Sequence, residues 1–413
     1  MSDSRGAGLA ERYLRLGLAL GRHVGGFVDA YYGPELLARE AATGALVPPS
    51  TLVAEARSLI GALDAGERLG TVMGAGDAAE SEDTAGRRAY LRAQLVGLFT
   101  SARILAGEPV PYADEVEACY GVRPHRVPEE EILGAHRALE EVVPGTGPLV
   151  ERLVAWRESQ AVPPDRLEAA VRSLAEDLRG RSAKMLGLPD GERVDWVLET
   201  AKPWSGFNYY LGDLRSRVAI NVDLPVLSTS LAHLVAHEAY PGHHTEHSRK
   251  EVGLVRRRHL LEESIFLVGT PQCLVAEGLA DLGLEVVVGR RPERFVAEHL
   301  HPLGIAYDAD VVAVVSEAGE ALAGVRANAA FRLHEDGADP EVVAEEIASL
   351  GLQSMQRARK SVEFLLDPTW RSYISCYVEG LPLCRRYVGG RPERFERLVT
   401  EQCIPAELAA SPA

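Results

Sequence analysis

Apolar positions recur at three- and four-residue steps over most of the chain, which is the period of amphipathic helices. Between Arg87 and Leu105, for instance, Tyr90, Leu91, Leu95, Leu98 and Phe99 form one such stripe. This helical pattern runs from Ala7 to about Leu186 and is punctuated at Val143–Pro148 and Ala161–Pro164; Gly74–Gly86, rich in Gly, Ala, Asp and Glu, reads as a connection. After Leu188 the period changes. Arg193–Leu198, Phe207–Leu211 and Arg217–Val222 are short β-branched or aromatic runs, and Gly212-Asp213 has the composition of a turn. In the third run Val218, Ile220 and Val222 alternate with Arg217, Ala219 and Asn221, the pattern of a half-buried strand whose polar face is free for a ligand. Helical periodicity returns at Ser228 and continues to Val399. The expected fold is mainly α with a small β-sheet, organised as a helical lobe over residues 1–187 and a second lobe over residues 188–413.

Composition narrows the functional classes. With 46% hydrophobic and 25% charged residues among 413, the chain is an ordinary folded one that can bury a large core. Its 60 acidic against 44 basic residues give a net charge of −16, a field that repels nucleic-acid phosphates and anionic lipid. Neither nucleic acid nor membrane is an expected partner. No stretch approaches the ~18 apolar residues of a membrane span, and Met1–Ala10 has no signal-peptide pattern, so a cytoplasmic location is expected. The five cysteines are odd in number and never spaced CxxC, which favours buried thiols over disulfides or a cysteine metal site.

Chemistry is concentrated in one segment. Five of the twelve histidines, His233, His237, His243, His244 and His247, fall within fifteen residues. A His-Glu pair, His237-Glu238, followed by further histidines is the core of helical zinc hydrolase sites. The usual second ligand, four residues on, is here Pro241. On a regular helix His237 and His243 would point about 240° apart and could not share a metal. Pro241, lacking an amide donor, and Gly242, open to unusual backbone angles, can distort the helix and return His243 to the ligand position. His244 is the competitor, nearly in phase but about 10.5 Å along an undistorted axis. His243 is therefore preferred, with His244 as a supporting hydrogen-bonding group. The four-residue pairs His233/His237 and His243/His247 are simpler alternatives for binding or packing.

Two imidazoles need a third protein ligand and an open fourth position. Downstream, Glu277-Gly-Leu-Ala-Asp281 puts two carboxylates on one face of an otherwise apolar helix predicted over Cys273–Gly289. Charges in such a helix are costly unless paired, which suits Glu277 as third ligand and Asp281 as acceptor from a ligand imidazole.

His237-Glu238-Ala-Tyr-Pro241-Gly242-His243-His244, with Glu277-Gly-Leu-Ala downstream, resembles the bacterial domain-of-unknown-function 885 family, placed by its motif among zincin-like metallopeptidases. The resemblance implies a two-lobed, mostly helical zincin-like metallohydrolase with its metal site in the interlobe cleft. The Glu277/Asp281 spacing is also similar to the gluzincin pattern. A late helix carrying Tyr377 and Gly380 fits the family, and by that analogy Tyr377, or Tyr373, is the candidate donor to an oxyanion.

The resulting expectation is a zinc-dependent hydrolase of short peptides binding one Zn²⁺ per chain through His237, His243 and Glu277. A zinc-activated water gives its proton to Glu238, which passes it to the leaving amine. An extended substrate adding to the edge of the Arg217–Val222 strand would bring Asn221 near the scissile bond. Hydrolysis of a non-peptide amide or ester, or metal-dependent binding without turnover, are the alternatives.

Overall fold

The structure is a computed structural model that describes residues 8–70, 84–202, 204–368 and 370–411. Most of the Gly74–Gly86 connection lies outside the described residues. The protein is mainly helical, and the apolar stripes become helix faces. In Ala85–Leu105 the residues Tyr90, Leu91, Leu95 and Leu98 are buried, and the helix is started by Thr84, whose side chain accepts from the Arg87 amide. Proline sets the next starts: helices Leu149–Ser159 and Pro164–Leu186 begin directly behind Pro148 and Pro163, at the two predicted breaks. A first-turn amide has no helical partner, so proline's missing N–H costs little there. No helix among the described residues is long and apolar enough to cross a membrane, and all five cysteines are buried and unpaired.

Among the described residues five strands form two small sheets: β1 (Val28–Tyr31), β2 (Arg193–Glu199), β3 (Gly206–Gly212), β4 (Arg215–Asn221) and β5 (Ile265–Leu267). The runs after Leu188 become β2, β3 and β4, in spatial order β2-β4-β3, with β2 parallel and β3 antiparallel to β4. This order corrects the expected role of the third run. As the central strand, β4 is hydrogen-bonded on both edges and cannot accept an added peptide strand. Val218, Ala219 and Ile220 are all buried, so there is no free polar face either. Asn221 instead donates its amide to the carbonyls of Lys202 and Trp204, 2.9 and 3.0 Å away, and pins the loop before β3.

β1 and β5 pair antiparallel, and the helical reading missed both because strands of four and three residues carry too little pattern. Their pairing joins residues more than two hundred positions apart. Apolar side chains form two clusters, one from Leu9 to Ala102 completed by Ile265 and Leu267, the other running from Tyr112 to Leu408 and including Ala30. Helices on both sides of Gly187 therefore share the second core.

A buried ion pair ties these parts together. Arg87 donates from Nε and Nη2 to the two carboxylate oxygens of Glu262, at 2.6 and 2.8 Å, with both side chains at most 1% exposed. Removing one member strands the other charge in the interior, so Arg87→Met is expected to lower unfolding stability by about 3–5 kcal/mol. The double variant Arg87→Met/Glu262→Met should recover much of that loss in denaturant titration. A single variant within experimental error of wild type would contradict this account.

Candidate metal centre

The helix carrying His237-Glu238 spans Ser228–Glu238 and stops; a new helix, His243–Lys250, begins five residues later. The hydrogen bonds across the break show what happens between them. Gly242 N–H donates to Ala236 O at 2.9 Å and Thr245 N–H to Ala239 O at 3.2 Å, six residues back rather than the four of an α-helix. Two residues are looped out, so His243 takes the place a fourth residue would hold. Gly242 is required here, because a Cβ on it would stand 1.9 Å from the His237 carbonyl oxygen.

The loop brings His243 Nε2 to 3.1 Å from His237 Nε2. Glu277 completes the group: Oε2 lies 3.5 Å from His237 Nε2, and Oε1 lies 3.5 Å from His243 Nε2. Its helix, Pro271–Val288, packs backbone to backbone against Ile374–Val388, where a Cβ on Gly278 would stand 2.3 Å from the Gly380 carbonyl oxygen. That contact carries Tyr373 and Tyr377 to the site. Tyr373 donates to Glu277 Oε1 at 3.0 Å, and Tyr377, 36% exposed, packs edge-on against Tyr373.

The three residues fit a zinc ion. Ligands 2.0–2.1 Å from a tetrahedral zinc lie about 3.3 Å from one another, close to the spacings here. Glu277 Oε2 is moreover buried without a hydrogen-bond partner among the described residues, a costly state for a carboxylate oxygen that a cation would relieve. His237 Nδ1 donates to Asp281 Oδ1 at 2.8 Å, which leaves Nε2 as the lone-pair nitrogen facing Glu277. Asp281 also takes His233 Nε2, at 3.3 Å. His233 thus joins the group as a second partner of Asp281.

Electrostatics point the same way. Burial lowers the His237 pKa, but the hydrogen bond and charge of Asp281, with Glu277 and Glu238, outweigh it and raise the pKa to about 10. For His243, burial is outweighed by the bond and charge of Glu277. The carboxylates thus stabilise positive charge on the imidazoles, and a divalent cation meets the same demand. Burial would raise Asp281, yet hydrogen bonds from His233 and His237 hold it well below the usual carboxylate range. Glu238 is raised, by burial and by Glu277 against the pull of His237 and His243. It follows His237 directly, feels the charges of His237, His243 and Glu277, and belongs to neither group of closely spaced ligand atoms.

His244 and His247 lie elsewhere. His244 is fully buried, with Nδ1 2.8 Å from Ser216 Oγ and Nε2 2.8 Å from Glu192 Oε2, so the structure separates it from the group it was expected to support. It follows His243 directly, and the side chain of a neighbouring helix residue points about 100° away. His247 stacks on Tyr210 and belongs to neither group of closely spaced ligand atoms among the described residues. One acidic residue near the site went unread: Asp29 of β1, whose carboxyl feels the charges of His243, Glu277 and Glu238. A single Asp in a four-residue strand some two hundred positions upstream gives no sequence signal.

No protein-family model and no curated protein matches the chain. Among solved structures, the crystal structure of a "putative lipoprotein" from Colwellia psychrerythraea superposes with a TM-score of 0.54 at 13% identity, covering 90% of this chain and 68% of that one. A "putative lipoprotein of unknown function" from Shewanella oneidensis, at 14% identity, covers 90% and 74% with a TM-score of 0.45, too loose to carry an argument. The Colwellia likeness is one of fold alone.

Metal analysis after dialysis tests the grouping. Wild type should retain zinc, whereas His237→Ala and His243→Ala should not, nor should Gly242→Ala, by displacing His243. His244→Ala should keep zinc while costing about 1–3 kcal/mol of stability, since it removes the buried hydrogen bonds to Ser216 and Glu192. Zinc lost from His244→Ala but kept by His243→Ala would reverse the assignment.

Proposed function

We propose that this protein is a zinc-dependent hydrolase that cleaves short peptides, with kinship to the domain-of-unknown-function 885 proteins through the His237–His244 motif. The observation that carries the reading is the near-tetrahedral spacing of His237 Nε2, His243 Nε2 and the Glu277 carboxylate, with one buried carboxylate oxygen left unpartnered. A zinc ion held there would supply Lewis acidity, polarising an amide carbonyl and making water more acidic.

The remaining chemistry belongs to the side chains. Glu238 shares no direction with its neighbour His237 and has no hydrogen-bond partner for its carboxylate among the described residues, so it is free to take a proton from water. Burial and Glu277 favour its protonated form, which then donates that proton to the departing amine. Asp281 keeps the His237 ring in one orientation, and Tyr373 holds Glu277. Tyr377, more exposed than Tyr373 and not bonded to Glu277, is the donor assigned to negative charge developing on the carbonyl oxygen. Water adds to the carbonyl carbon, the C–N bond breaks, and an acid and an amine leave.

A general base and a ligand fail differently. Glu238→Gln should keep its zinc while turnover of a mixed peptide library falls by roughly 10²- to 10⁴-fold. Glu277→Gln should lose zinc first and activity with it, because an amide oxygen is a poorer ligand than a carboxylate. Wild type that holds zinc yet is as inert as Glu238→Gln toward peptides, esters and amides would point to a binding protein instead.

A further inference from the structure

The metal centre joins one turn of the Ser228–Glu238 helix to one turn of the Pro271–Val288 helix, and the pattern repeats at the next turn. Four residues before His237 comes His233, and four residues after Glu277 comes Asp281, so an imidazole again faces a carboxylate. The rings of His233 and His237 lie 5.8 Å apart, centre to centre. With the Asp281 carboxylate they form a second group of closely spaced ligand atoms.

Asp281 Oδ1 serves both imidazoles, at unequal distances. His237 Nδ1 is 2.8 Å away, an ordinary length for a charge-assisted hydrogen bond. His233 Nε2 is 3.3 Å away, outside the ~2.7–2.9 Å of such bonds. The longer value matches the separation of two neighbouring ligands on a tetrahedral zinc, about 3.3 Å for bonds of ~2.0–2.1 Å. Asp281 is the one polar partner of His233 among the described residues. Access differs as well. The His233 side chain is 49% exposed, against 13% for those of His237 and Asp281, so water can fill the remaining positions around an ion there. An imidazole and a carboxylate open to solvent suit zinc and similar divalent ions, and two protein ligands hold an ion less firmly than three.

We propose that His233 and Asp281 form a second, weaker divalent-cation site beside the first, through which excess zinc slows the enzyme. The slowing rests on the hydrolase reading above; the binding does not. An ion on Asp281 Oδ1 shares that oxygen with the N–H of His237, draws electron density from it and repels the proton it holds. His237 is then oriented less firmly toward its own ion. The effect needs metal beyond what fills the first site, so protein dialysed to its tightly held zinc is unaffected.

Calorimetric titration of the dialysed, zinc-loaded full-length protein with zinc chloride tests the site. Wild type should take up a second ion per chain, and His233→Ala and His233→Gln should lose that uptake while keeping the first ion. Turnover of the mixed peptide library is measured with and without excess zinc. It should fall by roughly 10-fold in wild type, the lower end of the loss from disturbing a ligand's hydrogen-bonding partner, and each variant should hold its own rate. Wild type that binds no second zinc, or variants that still bind it, overturn the site. Slowing that persists in both variants overturns its regulatory role. Wild type that binds the second ion yet cleaves no peptide overturns the hydrolase reading and the slowing with it, while uptake that depends on His233 upholds the site.

Discussion

The site depends on a local reversal of the backbone between His237 and His243. Two imidazoles six residues apart cannot meet on an α-helix, and everything else at the centre presupposes that they do. The reversal is made with full hydrogen bonding: the Gly242 and Thr245 amides reach back six residues, and the Thr245 hydroxyl also donates to the Ala239 carbonyl at 3.0 Å. Backbone groups in a buried stretch must be paired, so a looped-out pair of residues is tolerable only because the ladder closes around it. Gly242 is its narrowest point, where the His237 carbonyl occupies the space of a side chain.

Around that reversal the supporting contacts are arranged in order. Asp281 fixes the ring of His237, Tyr373 holds one oxygen of Glu277, and the close approach at Gly278 and Gly380 sets the distance between the two helices that carry them. His244 belongs to a separate network in which Glu192 accepts from Tyr240 and pairs with Arg179. That network anchors the second side of the broken helix to the β2 strand region, so adjacent histidines do different jobs: His243 faces Glu277, and His244 holds the turn in place.

Much of this was legible in the sequence, and the reasons for success and failure differ by range. The helices, β2, β3 and β4 carry their own periodicity, and the Pro241-Gly242 pair announced a distortion because both residues are anomalous inside a helix. The Glu277/Asp281 pair stood out as two charges in an apolar helix. What failed was information held by pairing. The central position of β4, which turned Asn221 into a loop anchor, depends on which strands neighbour it. The place of His244 depends on Glu192, more than fifty residues earlier. Asp29 was invisible for the same reason, since its position comes from the β1–β5 pairing, which no local pattern encodes.

The proposed chemistry requires one cation shared by two imidazoles six residues apart and one carboxylate. X-ray absorption at the zinc edge of the zinc-loaded protein reads that ligand set. The expected spectrum shows nitrogen and oxygen only, at about 2.0–2.1 Å, with more distant scattering from two imidazole rings. A sulfur shell near 2.3 Å, or scattering from a single imidazole, would contradict it.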